Sequence, residues 1–143
     1  MPTFYSIDGV RKVVLSGSKP PLTRAELLAH VNGLPKDPRF DPSFRQIIDF
    51  RGVTTKALLA AEMKTIAALN PFLPTTRRAA VVDSVLIYGL VRMYQGLTGA
   101  DAEQMRLFAD MAEACEWLGL DPDTPWPDPP DVVFTIDADP ASS

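Results

Sequence analysis

The chain has 143 residues, 46% of them hydrophobic and 22% charged, enough for one domain with its own core and with no need of a metal or disulfide to hold it. All 14 Lys and Arg precede residue 121 together with 12 of the 18 acids, so residues 1–120 are close to neutral and offer no basic stripe for nucleic acid. Cys115, the single cysteine, excludes an internal disulfide and fits a reducing, cytoplasmic setting, while the opening MPTFYSIDGVRKV lacks a signal-peptide layout and no apolar run reaches the roughly 18–20 residues of a membrane span.

Thr3–Ile7 and Lys12–Ser16 are β-rich runs separated by Asp8-Gly9-Val10-Arg11, a turn signal that predicts an opening antiparallel hairpin. Thr23 with Glu26 three residues on is a capping-box pattern, and Leu27, Leu28 and Val31 give a helical face that ends at Asn32-Gly33. Phe44–Phe50 reads as a strand buried on both faces. Thr54 or Thr55 is the expected cap of a helix carrying Leu59, Met63, Ile66 and Asn70 at helical spacing, stopped by Pro71. Arg78–Val82 is a further strand, followed by a helix over Val85–Gln95 with Asp83 or Ser84 as cap and Gly96 as stop. Met105–Phe108 is a last strand, and Asp110 with Glu113 opens a helix over Met111–Leu118 closed by Gly119. The order ββαβαβαβα predicts an α/β fold, with a mixed, mostly parallel sheet that opens on a hairpin and carries helices packed on it.

Residues 1–120 form that domain. Residues 121–143, with six Asp, no base and six of the 14 prolines, form an acidic tail expected to be disordered. Val132–Ile136 is a β-prone island inside it, suited to an edge strand on its own sheet or on a partner's.

Few residues point to chemistry. No GxGxxG or GxxxxGK[ST] loop is present, and no His, Cys, Asp or Glu cluster has metal-ligand spacing, so neither cofactor nor metal is expected. Cys115 falls on the apolar face of its helix and reads as a buried, inert thiol. His30 lies near a helix C-terminus, where an imidazole meets terminal carbonyls. Asp49 stands at the C-terminal end of a parallel strand, where open α/β sheets place their sites, and Arg51, Thr54 and Thr55 follow at once. The same residue types serve a turn and a helix cap, which is the commoner use. The helix Val85–Tyr94 is apolar almost all round, with Arg92 its one charge and Ser84 and Tyr88 its polar neighbours. That surplus implies internal burial, a homodimer seam or the wall of a pocket for an apolar ligand.

The element order, IIDFRGVT at the third strand, RRAAVV at the fourth and the closing MRLFADMAEACEWLG resemble the SpoIIAA-like proteins of the STAS and Sec14-type superfamily over roughly residues 3–120. The family's D-x-x-G-V-T pattern is matched by Asp49, Gly52, Val53 and Thr54, and its aromatic strand end with A..WLG by Phe108, Ala114, Trp117, Leu118 and Gly119. Anti-sigma-factor antagonists of this kind carry a phosphorylatable serine at the start of the next helix, where this chain has Lys56-Ala57-Leu58-Leu59-Ala60 and no hydroxyl. The resemblance therefore implies a non-enzymatic regulatory or interaction module, with a protein partner or a second copy, and with Thr54 or Thr55 as the nearest phosphate acceptor. The alternative it implies is a carrier or sensor of a small lipophilic ligand. On either expectation the site draws on Asp49, Arg51, Thr54, Thr55, Ser84, Tyr88 and Arg92.

Overall fold

The computed structural model describes residues 3–19, 24–53, 60–100, 103–123 and 126–134. Strands β1 (Thr3–Asp8) and β2 (Val13–Ser18) form the expected hairpin, with the Asp8 carboxylate accepting from the turn amides of Val10 and Arg11. They are followed by α1 (Arg24–Gly33), a short 3-10 turn at Leu34–Lys36, β3 (Arg45–Asp49), α2 (Ala60–Ala68), β4 (Arg78–Val81), α3 (Val85–Thr98), β5 (Met105–Phe108), α4 (Met111–Leu118) and β6 (Val132–Phe134). The chain is α/β, as its pattern predicts: one six-stranded sheet in the order β5-β4-β3-β2-β1-β6, with β2 through β5 parallel.

Each parallel crossover steps to the next strand in the same direction, and crossovers of one hand then put their helices on one face. Accordingly α1, α2 and α3 cover one side, where Met63, Ile66, Ile87, Leu90 and Val91 meet Ala80 and Met105. On the other side α4 sets Ala114, Cys115 and Leu118 against Ile47, Ala79 and Val81. Alternate strand residues therefore face different layers, and β3 and β4 are covered on both, which accounts for the adjacent buried residues Gln46–Ile48 and Arg78–Val81.

Three readings change. Helix α3 runs through Gly96 and ends at Gly99, whose φ of 75° is the left-handed conformation that glycine adopts without strain. Tertiary structure decides between the two glycines, because Gln95 points inward and donates to the Met105 carbonyl at 2.8 Å, which holds the helix together past Gly96. Ser84 caps α3 and Asp83 does not: the Ile87 amide donates to Ser84 Oγ, whereas the Asp83 carboxylate accepts from Gly52 N at 3.0 and 3.1 Å.

The third change concerns the tail. Val132–Phe134 is ordered as β6, paired antiparallel with β1. Arg39 bridges Asp37 (2.8 Å) and Asp131 (2.9 Å), Tyr5 Oη donates to Asp37 (2.8 Å), and Asp131 accepts from Ile7 N. The Arg39 hydrogen bonds hold the Asp37 carboxyl below the usual carboxylate range, while burial and then Asp37 push the Tyr5 phenol above its own. The Phe134 ring lies on Gly33, where an added Cβ would come within 2.6 Å of it. Val132–Phe134 of the β-prone island thus pair with the chain's own sheet, one of the two placements that its pattern allowed.

Candidate functional site

At the C-terminal ends of β3 and β4 the sequence's polar cluster is assembled as a set of local clasps. The Asp49 carboxylate accepts from the Arg51 amide (3.1 Å), its Nε (2.9 Å) and its Nη2 (3.0 Å), a fork that occupies both groups. Asp49 and, behind it, Asp83 and Asp110 raise the Arg51 pKa further. Gly52, at φ 73°, turns the chain so that its amide reaches Asp83. Ser84 opens α3, with exposed Tyr88 and Arg92 on the next two turns of the same strip, Arg92 reaching Gln95 at 3.2 Å. So Asp49 and Arg51 come together, Ser84 begins the strip that leads to Tyr88 and Arg92, and Thr54 and Thr55 lie outside the described residues. Among the described residues no group of three or more His, Cys, Asp or Glu is placed to hold a metal ion.

A different set of side chains meets under the helices. Gln46, the second residue of β3, and Arg78, the first of β4, are register partners, so both point into the layer of α1–α3, as does Ser16 of β2. Gln46 Nε2 donates to Ser16 Oγ at 3.0 Å, and Ser16 Oγ shares a 3.1 Å hydrogen bond with His30 Nε2 on α1. On the other side Arg78 Nε donates to Gln46 Oε1 (2.9 Å), and its Nη1 donates to Tyr94 Oη on α3 (2.9 Å) and to Asn70 Oδ1 (3.3 Å). This buried polar chain crosses three strands and ties two helices to them. His30 is therefore not among terminal carbonyls; its ring turns to the sheet and meets Tyr5 edge-on at 5.5 Å.

Arg78 is 8% exposed, and among the described residues no carboxylate forms an ion pair with it. Its guanidinium lies over the Phe72 ring at 4.4 Å and the Tyr94 ring at 5.2 Å. Neutral acceptors and π faces compensate only part of the cost of burying a cation, on the order of several kcal/mol, and an arginine cannot shed its proton to escape it. Burial, with help from the Arg78 charge, pushes the His30 pKa down to about 4, so that ring is neutral at pH 7.

The chain of polar groups borders a cavity of about 100 Å³ between the sheet and α1–α3. Ile48, Ile66, Ile87, Leu90 and Val91 make its apolar walls, and Ser16, His30, Gln46, Arg78 and Tyr94 its polar end. Arg78 also borders a second, more polar cleft of about 300 Å³ at the N-terminal ends of β4 and β5, beside Asn70, Thr76, Thr98 and Gln104. The Ser16–His30 contact has the spacing of a nucleophile and a base, but so weakly basic a ring is a poor proton acceptor at neutral pH. Among the described residues none hydrogen-bonds its Nδ1 to orient it. Apolar walls closed at one end by a fixed cation suit binding better than bond breaking.

Sequence reasoning singled out the C-terminal end of the sheet and did not see the polar chain under the helices. The legible signal was polar residues at inward strand positions, Gln46 before Ile48 and Arg78 before Ala80, but pairing them with Ser16, His30 and Tyr94 takes the register of three strands. Cys115 is buried in the α4 layer, and burial raises its thiol pKa, as expected of an inert thiol. Helix α3 divides its apolar surface: Ile87, Leu90, Val91 and Tyr94 face inward, while Val85 (91% exposed), Leu86, Tyr88, Met93 and Leu97 face out. No helix of the described residues is long and apolar enough to cross a membrane. No family model matches this chain, and no curated protein matches it either.

Proposed function

We propose that this chain is a SpoIIAA-like domain of the STAS and Sec14-type superfamily that acts by binding rather than catalysis, and that what it binds is a small, largely apolar molecule held between the sheet and α1–α3. The family relation is supported by a sheet that opens antiparallel and continues parallel in chain order, and by the D-x-x-G-V pattern at the end of β3. The observation that carries the ligand is the cavity of about 100 Å³ with its apolar walls. Titration with n-pentanol, followed by NMR, is expected to shift the methyl signals of Ile66, Ile87, Leu90 and Val91 and to raise the unfolding temperature. Unshifted wall methyls at saturating alcohol sink this reading.

A second reading is favoured by the outer face of α3, where Val85, Leu86, Tyr88, Met93 and Leu97 are exposed around Gly89 and Gly96, neither of which has a neighbour within 4 Å of an added Cβ. On this reading the domain is an interaction module that pairs with a second copy or a protein partner through α3. Sedimentation equilibrium is expected to show dimers that the Leu86→Glu/Met93→Glu double variant converts to monomers. Wild-type monomers at high concentration remove the second-copy form of it.

A further inference from the structure

We infer that the cavity takes a small organic carboxylate, its charge on the Arg78 guanidinium beside Gln46 and Tyr94 and its short apolar part against Ile66, Ile87, Leu90 and Val91. This rests on the ligand-binding reading above and narrows it to an anion.

A guanidinium has five N–H groups; in Arg78 Nε serves Gln46 and Nη1 serves Tyr94 and Asn70, while Nη2 donates to no described residue. The side chain is buried, borders the cavity and has no carboxylate partner among the described residues. The other buried ionisable side chain of α1, Glu26, is not among the residues that line the cavity. The position is therefore held rigidly by three neutral acceptors and two rings, yet electrically incomplete. A carboxylate supplies the missing charge and acceptors in a planar geometry that a guanidinium matches.

The rest of the cavity sets the remainder of the ligand. Its other walls are aliphatic and its volume is that of a handful of heavy atoms, so a bare inorganic anion would leave the apolar walls unfilled and a long chain would not fit within it. A neutral molecule of the same shape would fill the walls and leave Arg78 as it stands. The expected order of preference is a short-chain carboxylate over its amide, and over acetate.

Pentanoate, pentanamide, acetate and inorganic phosphate, each titrated into the full-length wild-type protein and followed by NMR, test this without any variant. Pentanoate is expected to bind at least about tenfold more tightly than the other three, by the margin of a charge-assisted hydrogen bond over a neutral one against the amide and by the burial of a few methylenes against the two small anions. The Arg78→Met variant is expected to level pentanoate with pentanamide, and Arg78→Lys to restore part of the difference. Pentanamide binding as well as pentanoate overturns the anion while leaving the apolar cavity reading intact. Acetate or phosphate binding as well as pentanoate overturns the inference from the other side. If none of the four binds, both readings fall. The ligand series stands even where Arg78→Met does not fold.

Discussion

Single residues carry several of the energetic decisions in this fold. His30 is neutral in the folded protein down to about pH 4 because burial and the Arg78 charge disfavour its cation, whereas in the unfolded chain it protonates near pH 6.5. Between those values the unfolded state binds more protons, so stability falls as pH drops through 6.5 toward 4, by about 3 kcal/mol in all. Urea unfolding at pH 7 and pH 4.5 is expected to show this loss in the wild type and a smaller one in His30→Gln; equal losses in the two proteins would sink the assignment. Gly52 is a second such position. At φ 73° an alanine is strained by roughly 1–2 kcal/mol, so Gly52→Ala should lower stability by about that amount in the same measurement. Both positions contrast with the Asp49–Arg51 fork, which is too exposed to count for much in stability.

Among the elements, the short helix α4 has the most explicit punctuation. The Ala112 amide donates to the Asp110 carboxylate at 2.7 Å, and at the far end Leu120 N returns to the Cys115 carbonyl while Gly119 adopts φ 75°. Asp110→Ala is expected to cost about 1 kcal/mol, read as a shift in the urea midpoint with unchanged slope. Such punctuation is local, and this is why β1 to β5 and α1 to α4 were legible in the sequence with errors only at their edges. What was not legible depends on contacts between distant residues. Gly96 lost the helix stop to Gly99 because Gln95 is anchored on Met105, and the β-prone island pairs with its own sheet because β1 offers it an edge and Gly33 a seat for Phe134. Gly33→Ala separates local from tertiary effects. Its backbone, at φ −78° and ψ −36°, is helical, so propensity alone forecasts a gain of about 1 kcal/mol. Collision with the Phe134 ring forecasts the loss of β6 instead. Amide exchange at Val132–Phe134 is expected to become fast in the variant while α1 stays protected; retained protection of β6 would count against its docking as described.

At the scale of the whole molecule, two helical layers enclose a sheet whose inner faces are unequal. The α4 side is a dry apolar sandwich of Ile47, Ala79, Val81, Ala114 and Leu118. The α1–α3 side trades part of that packing for the chain His30–Ser16–Gln46–Arg78–Tyr94 and a cavity beside it. A chain selected for stability alone gains little from a buried cation without a carboxylate among the described residues, which is why the proposed ligand is placed on the α1–α3 side. In sequence Gln46 and Arg78 show only as polar residues at inward strand positions, and it takes the register of three strands to assemble the five. The pairing of β6 with β1 carries one more consequence, which concerns time rather than energy. Thr3 is made some 130 residues before its partner Phe134. At translation rates of about 5–20 residues per second the outer edge of β1 stays open for roughly ten seconds. A nascent chain with that edge bare is exposed to strand addition from its neighbours until β6 arrives to cover it.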